Sequence, residues 1–493
     1  MKWRPKETLD ENDINRGLKL VIGDGLAAEV MIAFTGGAFL VAMALLMGAS
    51  NFQIGLLAAL PTFTNLFQLV SIWLVRRFNN RRAVTVICSL LARLPLIAIG
   101  VLPFVTETSF LINLLIFFLF FHYLFGSIAG PSWNSWMKDL VPENMLGTYF
   151  AKRSSYTQSL NVVLAIALAL VIDFIRSKYP SLEINAYGIM FIVAGVIGIA
   201  GAWMLSFVQE PHSTMGDEKV LQLVLAPLKD GNFQRLLAFN SVWIFAVNMA
   251  TPFFTVFMMK SLGLSLSYII ALNILSQVSS IFTIRVWGRL ADKYSNKTII
   301  AISAPLYILC LIAWCFVGLY DHFYTNLGLL AIIHVFMGLS TAGINLSITN
   351  LGLKLAPRKT AIAYLTTRNM VLSLFGSIAP IIGGKLADYF TERSLEINAQ
   401  WTSPGTDKIF HLVSLHEWNF LFLIGAGVAL IAVELLVHVK EVGEVDKDFV
   451  KRIMRHSIRT NLRDFFVIGT LMSWHEQLWE IIKRRLLFRS NVQ

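Results

Sequence analysis

Charge is scarce in this sequence. Only 14% of its 493 residues are Asp, Glu, Lys or Arg, against about 25% in soluble domains, which excludes a water-soluble enzyme of ordinary composition. Cysteine is nearly absent. Cys88, Cys310 and Cys315 all fall inside apolar runs, with no metal-ligand spacing among them, and Cys310 and Cys315 share one segment, which argues against a structural disulfide. No phosphate-cradling GxxxxGKS/T stretch, HExxH pair or GxSxG elbow occurs, so ATP-driven pumping and hydrolase chemistry lack their apparatus. The chain is expected to be no enzyme and to need no cofactor or metal. Its first residues, MKWRPKETLDENDINRG, are too polar for a secretory signal.

What is there is hydrocarbon. Hydrophobic residues make up 56% of the chain, and mean hydropathy is +0.64. Apolar runs of membrane length recur twelve times between residues 21 and 438. Each meets the ~20 residues that a helix needs to cross the hydrocarbon, where only a helix satisfies its own backbone. The net charge of +11 does not indicate nucleic acid, because the cations sit in short turns and in a tail. Of 41 Lys and Arg, 33 fall on one side of the spans, five on the other and three within them. That bias places both termini in the cytoplasm. The expected organisation is a cytoplasmic N-tail (1–20), a six-helix bundle (21–208), a cytoplasmic linker (209–235), a second six-helix bundle (236–438) and a basic amphipathic tail (439–493) lying on the anionic leaflet or on the bundle's own loops.

The stretch Gly288 to Lys297, GRLADKYSNK, sets Gly288, Asp292, Lys293 and Lys297 in one short charged turn between two apolar runs. An earlier stretch, Trp73 to Arg82, WLVRRFNNRR, aligns with it at an offset of 216, with Ile72 in place of Gly288 and Arg76 in place of Asp292. A second pair aligns at 215: Leu140, Pro142, Tyr149 and Arg153 match Leu355, Pro357, Tyr364 and Arg368. Two matches at nearly one offset point to an internal repeat of half the chain. The turn resembles the signature loop that joins helices 2 and 3, and more weakly helices 8 and 9, in the major facilitator superfamily of secondary transporters.

That resemblance implies an all-α integral membrane fold of twelve helices in two pseudo-symmetric six-helix bundles, working as a monomer that rocks around a midplane site. By resemblance, Asp292 holds the start of helix 5, where Lys152 and Arg153 lie, and Arg368, the mate of Arg153, faces Arg76.

Ionisable groups inside spans are costly, so each is a candidate for function. Glu29 on helix 1 and Arg93 on helix 3 lie at similar depth and are expected to pair, either as a static ion pair or as a carboxylate that exchanges a proton when its pairing changes. Asp24 is read as facing headgroups, and Asp173, Arg285, Lys385, Asp388 and Glu434 as snorkelling from span ends. His122 and His334 are packing residues or proton carriers on helices that, by resemblance, line the cavity. Amides recur in the spans, and Asn134, Gln158, Asn161, Asn248, Asn273, Gln277, Asn345 and Asn369, with Trp133 and Trp243, are expected to hold a polar solute. Trp136, close to Lys138, is read as an interfacial belt residue.

The expected activity is proton-coupled import of a small polar solute such as a sugar or organic acid, in the plasma membrane of a bacterium. Drug efflux is the alternative, although helix 5, LNVVLAIALALVIDF, carries neither the Gly nor the Pro of the exporter signature. A sodium ion in place of the proton, and a receptor or scaffold built on the same fold, are the remaining readings.

Overall fold

The computed structural model describes residues 5–7, 9–105, 110–212, 226–319, 322–357, 361–403 and 406–441. The expected amphipathic tail lies outside the described residues apart from its first three positions. Among the described residues, twelve helices are long and apolar enough to cross a membrane. They are α1 (Glu11–Leu46), α2 (Asn51–Phe78), α3 (Arg81–Val105), α4 (Leu111–Leu140), α5 (Leu146–Lys178), α6 (Pro180–Leu205), α7 (Gly231–Lys260), α8 (Leu266–Lys293), α9 (Asn296–Trp314), α10 (Phe323–Leu355), α11 (Ala363–Phe390) and α12 (Trp418–Val437). Between α11 and α12 lies an antiparallel hairpin of β1 (Ser394–Ser403) and β2 (Thr406–His416). Residues 226–230 and 206–212 flank one face of the bundle, termed the linker face below.

The charged turn is shorter than its sequence suggests. Gly288 to Lys293 belong to α8, and Ser295 caps α9 by accepting from Thr298 N at 3.1 Å. In the first half, α2 ends on Asn79 in the left-handed region (φ 47°) and Asn80 Oδ1 accepts from Ala83 N at 2.7 Å. The Asn-Asn pair therefore ends one helix and starts the next.

The duplication is visible as structure. Gly48 and Gly263, 215 residues apart, both take left-handed φ (78° and 61°) to close the first turn of each half. At the linker face, two glutamates each fork onto the leading amides of a helix. Glu210 accepts from Arg81 N and Arg82 N, both at 3.0 Å, at the start of α3. Glu441 accepts from Asn296 N at 3.2 Å and Lys297 N at 2.8 Å at the start of α9. Around these forks the charges are exchanged. Arg81 bonds Asp139 at the end of α4 and Glu210 in the first half. The forks set the register here at 215 rather than the 216 of the sequence alignment, so Asn296 stands at the place of Arg81, and Lys354 at the place of Asp139 bonds Glu441 at 2.9 Å. A helix start leaves amides without intrahelical partners and carries a partial positive charge, so a buried carboxylate is well placed there.

Trp136 is fully buried rather than interfacial. Its indole donates to Gln209 O at 3.1 Å, tying α4 to the chain after α6. Trp243, expected at the solute site, is core: it packs on Tyr307 at 5.8 Å between ring centroids.

Burial pushes the Glu441 carboxyl up, but the bonds from Lys297 N, Asn296 and Lys354 outweigh it and hold the group below its ordinary 4.5. A lowered folded value stabilises above the unfolded value, and that stability disappears as pH falls through the folded value. Glu441→Gln should cost about 2 kcal/mol by leaving buried amides poorly paired. It should lower the melting temperature of the detergent-solubilised protein at pH 7 and flatten its dependence on pH below 4.5. Equal melting of the variant and the wild type at pH 7 would count against the fork.

Candidate functional site

The site starts from three glycines on small-residue faces. A Cβ at Gly198 of α6 would stand 3.0 Å from Arg93 Cγ, one at Gly201 would stand 3.2 Å from Asp24 Oδ1, and one at Gly25 of α1 would stand 2.7 Å from Arg153 Nε. These absent side chains leave room for three charged groups to lie between α1, α3, α5 and α6. Arg93 Nη2 reaches Asp24 Oδ1 at 3.3 Å, both side chains being 7% exposed. The expected pair of Glu29 with Arg93 does not form. Glu29 lies one turn further along α1 and accepts from Asn161 Nδ2 of α5 at 2.6 Å, while Asp24 is the carboxylate on the Arg93 face of the helix. Asp24 does not face headgroups.

A cavity of about 560 Å³ opens beside this pair, lined by Asn65, Gln68, His122, Trp133, Asn134 and Arg153 among others. Such a volume suits a small solute. His122 lies against Ala92 O at 2.7 Å. Arg153 places its guanidinium over the Trp133 ring at 5.0 Å and reaches Val21 O at 3.5 Å. Asn65 begins a short 3-10 turn, Asn65–Phe67, that interrupts α2 after Pro61. Irregular backbone at membrane depth is tolerated where it borders a cavity. Asn65 and Gln68 also line a second cavity of about 380 Å³, with Asn369 of α11 on its other wall.

A third cavity, about 450 Å³, joins the halves through Asn161, Asn273, Gln277 and His334. His334 bonds Leu330 O of its own helix at 2.8 Å and lies against the Trp314 ring. The amides thus divide among three spaces. Asn248 ties α7 to Gly376 O of α11 at 3.2 Å, and Gln158 and Asn345 are exposed outside the cavities described. A further cavity, about 660 Å³, lies at the hairpin end, lined by Lys260, Arg393 and Glu417 among others.

The gate contact implied by the signature turn is not formed. Asp292 is exposed, and Arg153 turns into its own half. Lys293 lies over the Tyr294 ring and Lys297 donates to Val437 O at 3.1 Å. Arg368 packs beside Gly352, and its buried Nε has no hydrogen-bond partner among the described residues.

The halves are joined instead at the face opposite the linker. Asp388 at the end of α11 accepts from Asn51 N at 3.0 Å and Phe52 N at 2.9 Å, the first amides of α2. Asp173 at the end of α5 accepts from Leu266 N at 3.0 Å and Ser267 N at 2.8 Å, the first amides of α8. Asp173 and Asp388 stand 215 residues apart, as do the amide pairs that they hold. Neither aspartate snorkels. The α2–α11 crossing is so close that a Cβ at Gly55 would clash with Pro380 O, and one at Gly384 with Asn51 O. The structure is therefore closed at the far face.

Replacing both aspartates with alanine removes two helix caps, each worth about 1 kcal/mol. With spin labels on the far ends of α2 and α11, and of α5 and α8, the double variant should shift both distance distributions toward longer separations, and each single variant should do so less. Unchanged distributions in the double variant would show that the aspartates do not hold the halves.

The family model of the Major Facilitator Superfamily matches residues 26–380 and again residues 244–489. No curated protein sequence matches the chain. Among solved structures, a mutant of the nucleoside transporter NupG is 14% identical with a TM-score of 0.64, covering 87% of this chain and 100% of its own. A D-xylose-proton symporter is 13% identical with a TM-score of 0.62, covering 88% and 98%. A bacterial homologue of the human lysosomal transporter Spinster, inward-facing, is 14% identical with a TM-score of 0.56, covering 87% and 95%. Identities this low carry the fold alone. With twelve membrane-length helices in two repeated halves, and a family model that spans most of it, this chain belongs to the major facilitator superfamily and is a membrane transporter.

Proposed function

We propose that this transporter imports a small polar solute together with a proton, and that Asp24 takes the coupling role for which depth alone would select Glu29. The observation that carries the reading is the Asp24–Arg93 pair on the wall of a solute-sized midplane cavity. A neighbouring cation favours the ionised form of a buried carboxylate, and loss of that contact favours protonation. A solute that competes for Arg93 therefore couples its own binding to proton uptake. Glu29, held by the neutral amide of Asn161, is the second carboxylate on the same helix.

The bias of 33 cations to one side supports cytoplasmic termini, which makes the linker face cytoplasmic and the Asp173 and Asp388 locks external. On this orientation the described state is closed to the outside, and outward opening requires both locks to release. The plasma membrane of a bacterium is the proposed location.

In proteoliposomes with an imposed pH gradient and a panel of sugars, nucleosides and organic acids, the wild type should accumulate at least one solute. Asp24→Asn should retain solute exchange but lose accumulation, while Glu29→Gln accumulates. The opposite result moves the proton to Glu29. Accumulation by both variants at the wild-type level removes α1 from coupling.

A further inference from the structure

We infer that the solute is an organic anion carrying one carboxylate, received by Arg93 and Arg153; this rests on the transport reading above and names its substrate class. Three buried polar atoms on one cavity have no hydrogen-bond partner among the described residues: Arg93 Nη1, Trp133 Nε1 and Thr85 Oγ1. A buried unpaired donor is costly, and a guanidinium with five donors here has one bond, of 3.3 Å. Two of the three atoms can only donate, and the third is a hydroxyl, so the set suits a ligand made of acceptors.

Formal charge agrees. Arg93 and Arg153 against Asp24 leave the cavity wall one positive charge in excess, and the charged or titratable side chains near Asp24 are Arg93 of α3, Arg153 and Tyr149 of α5, and His122 of α4. Tyr149 is committed to Leu18 O at 2.8 Å. Trp133 orients the Arg153 guanidinium from its ring face. The rest of the wall includes Met31, Pro61, Tyr123 and Leu205, which suits a hydrocarbon or ring body better than a bare inorganic ion.

The second half shows that the fold does not require these charges. At the 215-residue offset, Phe239 stands for Asp24, Ile308 for Arg93, Ile300 for Thr85 and Ile348 for Trp133, and all four are buried. The same scaffold is thus packed without any of them.

The carboxylate bonds Arg93 and Arg153 and displaces Asp24, and the released Asp24 takes one proton. One negative and one positive charge enter together. The loaded cavity then carries the same formal charge as the empty one, and the translocation step moves no added charge through the bilayer.

The test uses the purified full-length protein in detergent, with lactate, pyruvate, gluconate, glucuronate and benzoate as probes against glucose, uridine, phosphate and sulfate, and thermal stabilisation as readout. At least one carboxylate should stabilise the wild type. Arg93→Lys, which keeps the charge but loses the fork, should weaken its apparent affinity by roughly tenfold or more. Asp24→Asn should bind it at least as tightly as the wild type, since the internal competitor for Arg93 is weakened; its binding also reports a folded site. In proteoliposomes the same carboxylate should accumulate under a pH gradient and not under a potassium-valinomycin potential. No stabilisation by any carboxylate overturns the inference, as does a carboxylate bound equally by Arg93→Lys. Uphill movement of glucose or uridine without carboxylate binding keeps the transport reading and removes the anion site. A carboxylate that binds but never accumulates keeps the site and removes the proton coupling.

Discussion

Four carboxylates on four helix starts organise this molecule. Glu210 and Glu441 each hold the first amides of a helix in their own half, and Asp388 and Asp173 each hold the first amides of a helix in the other half. In hydrocarbon and its boundary a helix start has unpaired donors and little water to satisfy them. A carboxylate answers both the hydrogen-bond deficit and the positive end of the helix dipole. Two of these forks fix the internal order of each bundle; the other two join one bundle to the other.

That division uses one kind of interaction both within a half and between the halves. The linker-face forks sit inside networks with Arg81, Asp139, Asn296 and Lys354, so breaking one leaves several buried groups unpaired. The far-face forks stand with less support: Ser267 Oγ adds to Asp173, and Trp418 donates to Asn51 Oδ1 beside Asp388. An interface that has to open and re-form is better built from such separate, moderate contacts than from a cooperative network. The close helix crossing at Gly55 and Gly384 supplies dispersion contact without locking side chains together.

The asymmetry between the halves carries the chemistry. The repeat preserves turns, caps and crossings, yet Asp24, Arg93 and Arg153 line the first-half cavity where Phe239 and Ile308 fill the matching interior of the second half.

The sequence by itself determined the membrane class, the twelve spans, the family through its charged turn, and the duplication at an offset of 215, because hydrocarbon length, turn chemistry and repeated spacing are local properties of a chain. It also marked Arg93, Trp133, Asn134, Arg153 and His122, all of which do line one cavity. Only the tertiary structure decided the partners. Asp24 and Glu29 sit five residues apart on one helix, and which of them meets Arg93 depends on the rotation of α1 against α3 and on the room left by Gly198 and Gly201. Asp173 and Asp388 looked like snorkelling groups because their amide partners are 94 and 337 residues away in the chain. Burial depth can be counted along a helix, but the face that a side chain presents, and the helix start that it meets, exist only once the helices have packed.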